Sequence, residues 1–142
     1  MDKSEQILKI LESSKIIDAA KAESIRKQVL EKGEDLESFL LVQKIVDEEK
    51  FAEIKAGLYN LAYLDLTNKE IPKEILTFLP EEISNTYKMI CFERASGVLK
   101  IGLTEPNLKA MEAVNFLAAE DKLRIEYYLI SKTSWQKCYN QY

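Results

Sequence analysis

The side chains that most often carry out enzyme chemistry are scarce in this 142-residue sequence, which has no histidine and only two cysteines. Without histidine there is no Ser-His-Asp triad and no Cys-His dyad, so the common nucleophilic hydrolase mechanisms are excluded. Cys91 and Cys138 lie too far apart for the ligand spacings of zinc, iron–sulfur or haem sites. We therefore expect no metal site, no cofactor and no catalytic residue, and we interpret both cysteines as buried, reduced thiols.

One segment is similar to a phosphate-binding loop. Gly97 and Gly102 are separated by four residues and followed by Leu103 and Thr104, which matches G-x-x-x-x-G-K-[ST] except at the lysine. That lysine supplies the charge that meets the phosphates, and such a loop runs from a strand into a helix. Residues 98–103 are themselves predicted to form a strand. We interpret the match as a coincidence.

Two pairs of carboxylates, Glu48-Glu49 and Glu81-Glu82, have the residue types needed for acid/base chemistry. Both pairs fall in the first turn of a predicted helix, where negative side chains complement the helix dipole. We expect them to remain solvated and to have no catalytic role.

The elements that position these side chains begin with an internal repeat at an offset of 29 residues. The offset superposes apolar, basic and acidic residues of the same kind. The pairs are Ile7 and Leu36, Ile10 and Phe39, Leu11 and Leu40, Lys15 and Lys44, Ile16 and Ile45, Ile17 and Val46, Asp18 and Asp47, Lys21 and Lys50, Ile25 and Ile54, and Val29 and Leu58. The first half of the chain is therefore predicted to be a duplicated unit.

Each unit is predicted to be a helical hairpin. The apolar residues of its first helix have the i, i+3, i+4 spacing of an amphipathic helix. Asp18 and Asp47 stand where an N-cap of the second helix belongs, and Gly33 marks the join between the copies. We expect two such hairpins to form a four-helix subdomain over residues 1–60.

The charge pattern argues against nucleic acid as a partner. The net charge is −4, from 20 basic and 24 acidic residues, and the basic residues are scattered along the chain. A DNA-reading helix-turn-helix is disfavoured because the predicted second helices carry Glu23, Glu49 and Glu53. The apolar runs fall far short of the roughly 20 residues that cross a bilayer, and the start MDKSEQ lacks the pattern of a signal peptide. We expect a cytoplasmic protein with no direct membrane insertion.

The second half, residues 61–142, is predicted to be an α+β subdomain. Strands are predicted at 62–66, 89–93, 98–103 and 123–130, with helices at 72–79, 80–87, 107–118 and 131–142. Residues 94–97 are predicted to join two antiparallel strands as a hairpin. The order β-α-α-β-β-α-β-α predicts a small mixed or antiparallel sheet of three to four strands with helices packed on one face.

Three side-chain placements follow from the same patterns. The helix at 107–118 is predicted to bury Leu108, Met111 and Val114, with Leu117 as a further candidate. The closing helix is predicted to be capped by Ser131 or Thr133. Alternation along 123–129 predicts that Tyr128 lies at the surface.

Several segments of the second half occur in an order typical of one family. Residues 63–66 (YLDL), 71–72 (IP) and 78–82 (FLPEE) are followed by LKIGLTEPN at 99–107 and a closing strand and helix at 127–142. They resemble the "Y-V-D-L … I-P … L-L-P-E-E" and "L-x-V-A-x-x-D-P-x-N" segments of the N-terminal domain of type II secretion and type IV pilus assembly ATPases. Glu105 takes the place of the family's aspartate, and the resemblance predicts that it caps the helix opening at Asn107.

The resemblance also implies a possible ligand. In some members the duplicated helical half binds cyclic di-GMP through two copies of a motif with an arginine, two glycines and a glutamine. Those positions, in the order of the motif, hold Gln6, Leu8, Lys15 and Val29 in the first copy and Asp35, Glu37, Lys44 and Leu58 in the second. Asp35 and Glu37 would repel phosphates, whereas Lys15 and Lys44 would attract them. Lys15 and Lys44 are therefore the candidate binding residues if cyclic di-GMP binds.

The resemblance implies a bacterial, non-catalytic docking and regulatory domain. Its expected partners are the inner-membrane platform or adaptor protein of a secretion or pilus system, and a downstream ATPase domain carrying the Walker motifs that this chain lacks. The expected location is cytoplasmic, peripheral to the inner membrane through these partners. The alternatives are a cyclic di-GMP-sensing domain and a stand-alone signalling scaffold.

Overall fold

The computed structural model describes residues 3–142, which form eight helices and four strands. Helices α1 to α4 come first, and the second half follows in the predicted order β-α-α-β-β-α-β-α. The elements are α1 (Lys3–Ser13), α2 (Ala19–Lys32), α3 (Leu36–Val42), α4 (Glu48–Leu58), β1 (Ala62–Tyr63), α5 (Lys73–Leu76), α6 (Glu81–Tyr87), β2 (Met89–Ala95), β3 (Val98–Leu103), α7 (Leu108–Glu120), β4 (Arg124–Leu129) and α8 (Lys132–Tyr139).

The two predicted helical hairpins are present, with the caps that the repeat predicts. Asp18 accepts from the backbone N–H of Lys21 and Asp47 from that of Lys50, both at 2.7 Å, because each aspartate precedes a helix whose first N–H groups have no intrahelical acceptor. Gly33 ends α2 in a left-handed conformation with φ of 63°. The apolar stripes of the four helices meet in one core, which buries Ile7, Leu8, Leu11, Ile25, Leu36, Phe39, Leu40, Phe51 and Ile54 among others.

The sheet is mixed, with strand order β1-β4-β3-β2. β4 lies parallel to both β1 and β3, whereas β2 and β3 form the predicted antiparallel hairpin. The hairpin turn consists of Ser96 and Gly97 alone, with φ of 52° and 76°, because two left-handed residues match the twist of the paired strands. The predicted four-residue link 94–97 was therefore too long.

Helices cover both faces of the sheet, so the prediction of one covered face was wrong. Leu99, Ile101 and Leu129 lie in a core with α7 and part of α4. Ile90 and Phe92 lie in a second core on the other face, together with Trp135 and Cys138 of α8. Because β2 has apolar side chains on both of its faces, this strand is buried on two sides, as in a layered α/β arrangement.

Smaller differences concern where elements end and which side chains they bury. β1 has two residues rather than the predicted 62–66, and α5 ends at Leu76 rather than at Leu79. A helix that continued to Leu79 is disfavoured, because Pro80 restricts the backbone of the residue before it. Leu108 is 74% exposed rather than buried, whereas Val114 is buried as predicted, together with Ala110 and Ala118. Ser131 caps α8, which settles the choice between Ser131 and Thr133, and Tyr128 is half-buried rather than fully exposed.

Helix α4 contributes to the core of the helical part and to that of the sheet. Phe51 and Ile54 pack among the helices, whereas Ala52 and Ala56 lie in the core that α7 covers. The small alanine side chains let the helix backbone approach the sheet closely. The division into two subdomains near residue 60 stays a prediction.

Candidate interaction site

Lys15 and Lys44 occupy equivalent turns of the two repeats, each between the first and second helix of its hairpin. Both have a left-handed backbone, with φ of 60° and 57°. In each turn the following N–H donates to a carbonyl near the end of the first helix: Ile16 to Leu11 and Ile45 to Leu40, both at 3.0 Å. Both lysines are exposed, and within residues 3–142 neither ammonium group has a hydrogen-bond or ion-pair partner.

An open groove of about 690 Å³ lies where the second turn faces the first repeat. We call it the repeat-turn groove. Its lining combines four apolar side chains with two basic and two acidic ones: Ile16, Leu41, Ile45, Val46, Lys44, Lys50, Asp47 and Glu48. Ile16 comes from the first repeat and the other seven residues from the second, so the duplication itself builds the groove.

The acidic groups of the repeat-turn groove are already engaged. Asp47 caps α4, and Glu48 accepts a hydrogen bond from the hydroxyl of Thr133. Lys50 lies 3.9 Å from Glu53. Lys44 is therefore the cation of this groove left without a partner inside the described chain, and the groove can take apolar groups beside an anionic one.

Glu37 is held by two lysines from other elements. Lys132 Nζ lies 2.9 Å from one carboxylate oxygen, and this hydrogen bond raises the pKa of Lys132. Lys55 Nζ lies 3.6 Å from the other oxygen and donates to the carbonyl of Thr104 at 3.1 Å. We call these four residues the Glu37 junction. It ties the helical part of the molecule to the sheet.

Two tyrosines add hydrogen bonds across the same boundary. Tyr63 donates to the carboxylate of Glu49, and burial followed by that hydrogen bond raises the pKa of Tyr63. Tyr59 donates to Glu105 at 3.2 Å. The predicted capping role of Glu105 was wrong, because Asn107 itself caps α7 by accepting from the N–H of Ala110.

The carboxylate pairs lie in the first turns of α4 and α6, as predicted. The expectation that they stay solvated holds for Glu81 and Glu82 and was wrong for Glu48 and Glu49, which are partly buried against Thr133 and Tyr63. Their partners come from the sheet half of the chain, which the sequence pattern of α4 does not reveal.

Several positions of the cyclic di-GMP motif serve the fold in this chain. Leu8 is buried in the helical core, and Val29 and Leu58 pack against it. Asp35 caps α3 by accepting from the N–H of Ser38, while Glu37 forms the junction described above. Sequence reasoning missed the role of Glu37 because Lys55 and Lys132 lie far along the chain and no local pattern links them.

The segment similar to a phosphate-binding loop has another role. Gly102 lies inside β3, and a Cβ atom added there would stand 3.0 Å from two carbons of Ile130. The glycine is therefore needed for close packing between a strand and the chain beside it. Both cysteines are buried, as predicted, and burial raises the pKa of Cys91 to about 12 and that of Cys138 to about 11.

Within residues 3–142, no group of three or more Cys, Asp or Glu side chains is placed to hold a metal ion. No helix in that range is both long and apolar enough to span a bilayer.

The fold places the chain in a class of proteins in which a duplicated helical hairpin packs on a small mixed sheet. The sequence model of the MshEN domain matches residues 59–142, more than half of the chain, so the chain belongs to this family of N-terminal domains of type II secretion and type IV pilus assembly ATPases. The resemblance found in the sequence is thereby confirmed. A comparison with curated proteins finds no match.

Solved structures show the same fold. The structure of MshE with cdg aligns with a TM-score of 0.75 at 18% identity, covering 96% of this chain and 97% of that one. The N-terminal domain of XpsE aligns with a TM-score of 0.65 at 16% identity, covering 100% and 97%. A second crystal form of that domain gives a TM-score of 0.57 at 17% identity with the same coverage.

Proposed function

We propose that this chain is a non-catalytic docking and regulatory domain of a type II secretion or type IV pilus assembly ATPase. Its partner would be the cytoplasmic part of the inner-membrane platform or an adaptor protein, and its parent would carry the ATPase domain. Membership of the MshEN domain family supports the setting. The docking role rests on one observation, the repeat-turn groove, whose apolar lining lies beside the unpaired Lys44.

The chemistry of the groove suits a protein partner. Interfaces combine apolar groups with polar ones, and the lining of the repeat-turn groove likewise combines apolar side chains with charged ones. The side chains lining it include no thiol, hydroxyl or imidazole group that would act as a nucleophile. Contact with a platform protein would bury on the order of 1,000 Å², which requires surface around the groove as well as the groove itself.

Titration of the whole chain with the cytoplasmic domain of the platform protein tests the proposal. We expect binding that Ile45→Glu and Lys44→Glu each weaken by about tenfold, because one places a charge in the apolar lining and the other reverses the unpaired cation. Leu30→Glu is the matched control, since Leu30 is 83% exposed on α2 and does not line the groove. Failure of the unmodified chain to bind, both alone and fused to its ATPase domain, would refute the docking role.

A second candidate is a cyclic di-GMP sensor. It is favoured by the likeness to the structure of MshE with cdg and by Lys15 and Lys44, which hold a glycine-like backbone at equivalent turns. Calorimetric titration with cyclic di-GMP tests it. Micromolar binding that disappears in the double variant Lys15→Ala, Lys44→Ala would favour the sensor function over the docking function. Absence of a binding heat would exclude the sensor function.

A stand-alone signalling scaffold is the remaining alternative. The gene distinguishes it directly: a stop codon after Tyr142 favours the scaffold, whereas continuation into a Walker A motif favours the ATPase setting.

A further inference from the structure

The outer face of α7 carries a pattern that neither the fold nor the proposed function uses. Four exposed residues follow one another at spacings of four, three and four: Lys109, Ala113, Phe116 and Glu120. This is the spacing of a coiled-coil seam. At 100° per residue the four side chains fall within about 60° around the helix, and they span about 17 Å along it. They form one line, which we call the α7 seam.

The α7 seam is open to solvent. A different side of α7 is the buried one, since Ala110, Val114 and Ala118 lie in the sheet core. Phe116 is 69% exposed, so its ring is available for contact with another molecule although the apolar stripe of α7 is already buried. Within residues 3–142, neither Lys109 nor Glu120 has an ion-pair or hydrogen-bond partner.

The order of residues along the α7 seam is self-complementary. If a second copy packs antiparallel about a two-fold axis between positions 114 and 115, Lys109 of each copy faces Glu120 of the other. The same register places each Phe116 over the Ala113 of the other copy, so that a large side chain meets a small one. A two-fold contact repeats each of these pairings, giving two ion pairs and two aromatic contacts.

We propose that the α7 seam is a self-association surface that pairs antiparallel with a second copy of this chain. A parallel arrangement would place Lys109 against Lys109 and Glu120 against Glu120, and like charges in contact are unfavourable. The antiparallel one satisfies both unpaired charges with groups already in the sequence. The area is small, because two short helices bury less than the about 1,200 Å² of a stable complex.

Self-association through the α7 seam is therefore weak, with a dissociation constant on the order of 0.1 to 1 mM for the chain. It involves a surface separate from the repeat-turn groove, and it does not depend on the docking role. Lys44→Glu, which weakens platform binding, is expected to leave it unchanged. Loss of one activity without the other thus identifies which proposal has failed.

Charge reversal gives the sharpest test, by sedimentation equilibrium of the whole chain over a range of concentrations. Lys109→Glu and Glu120→Lys should each weaken self-association by about tenfold, because two attractive pairs become repulsive. An equimolar mixture of the two variants should recover the affinity of the unmodified chain. In the mixed dimer the two introduced charges, which are opposite in sign, face each other, and the native Glu120 of one variant faces the native Lys109 of the other. Phe116→Ser should abolish association.

Leu30→Ser is the matched control for Phe116→Ser, because Leu30 is an exposed apolar residue on another helix. Thermal unfolding followed by circular dichroism verifies that each variant folds, which is expected for exposed positions. A chain that remains monomeric at about 1 mM overturns the proposal. So does dimerisation that survives both single charge reversals, or a mixture of the two variants that stays monomeric.

Discussion

Lys15 and Lys44, 29 residues apart in the sequence, adopt the same left-handed backbone at the two turns of the helical repeat. A side chain in this conformation brings Cβ close to a backbone oxygen and costs roughly 1–2 kcal/mol, a strain that glycine avoids. The geometry of the turn has been kept in both copies although neither contains glycine.

Replacement of either lysine by glycine should therefore stabilise the protein. For Lys15→Gly and Lys44→Gly we expect a gain of about 0.5 kcal/mol each, because the relief of strain exceeds the added entropy of the unfolded chain. Urea unfolding measures the change. Lys27→Gly is the control, since Lys27 is exposed inside α2 and glycine there should destabilise by about 1 kcal/mol. Equal destabilisation at all three positions would show that the left-handed backbone at Lys15 and Lys44 is not strained.

The two glycines Gly102 and Gly57 should respond in opposite directions to alanine. A Cβ at Gly102 would stand 3.0 Å from Ile130 side-chain carbons, so Gly102→Ala should destabilise by about 1–3 kcal/mol. A Cβ at Gly57 in α4 meets no atom within 4 Å, so Gly57→Ala should stabilise by about 0.5 kcal/mol. Thermal unfolding of both variants gives the comparison, and a neutral Gly102→Ala would show that Ile130 can move aside.

Loss of the charge on Glu37 should be costly because Lys55 is buried beside it. Glu37→Gln leaves the Lys55 ammonium without a carboxylate partner, with the Thr104 carbonyl at 3.1 Å and the Phe51 ring centre at 5.9 Å, and we expect a loss of about 2 kcal/mol in the free energy of unfolding. Lys132→Gln removes the other cation of the junction. Because the Lys132 side chain is 63% exposed, its loss should amount to less than about 1 kcal/mol. Similar losses in the two variants would contradict the role given to Lys55.

Stability should fall at alkaline pH. Burial raises the pKa of Cys91 to about 12 and of Cys138 to about 11, whereas an unfolded thiol ionises near 9.0. The native state keeps protons that the unfolded chain releases, so the stability present below about pH 9 is lost progressively between about pH 9 and 12. Urea unfolding from pH 7 to 11 measures the slope.

Cys91→Ala should make that slope shallower. Val114→Ala is the control: it also removes bulk from the same core but titrates no group, and should lower stability at every pH with the slope unchanged. An identical slope in the unmodified chain and Cys91→Ala would show that the thiol at position 91 does not cause the pH dependence.

The predicted division near residue 60 can be examined by native-state hydrogen exchange. We propose that residues 3–58 and 61–142 open as separate units, with α4 as the exception, because Ala52 and Ala56 lie in the sheet core. Amides of α4 should then exchange as slowly as those of β3. A single opening free energy for the whole chain would refute the division.

Local patterns predicted most of the elements. The caps at Asp18 and Asp47 followed from one residue type at the start of an apolar period, and the mixed α+β order from changes of periodicity. These features depend on interactions within a few residues. The coverage of both sheet faces was not predicted, because an apolar run such as that of β2 does not indicate whether helices pack on one face of the strand or on both.

The site was less predictable than the fold. Lys15 and Lys44 were found through the repeat, but the groove beside Lys44 exists only because Ile16 of one copy packs near the other copy. The Glu37 junction depends on two lysines from distant segments, and nothing in the neighbourhood of Glu37 in the sequence indicates them. Long-range pairs of this kind arise when helices and strands that are distant in the sequence pack against one another.

The two thiols lie on opposite faces of the sheet, Cys91 in the core beneath α7 and Cys138 in the core formed with α8. Each is shielded from alkylating reagents until its own layer separates from the strands. The rates at which the two cysteines are labelled would then report independently on the opening of the two layers. A binding partner that separates the helices from one face of the sheet would increase the labelling rate of the cysteine on that face and not that of the other.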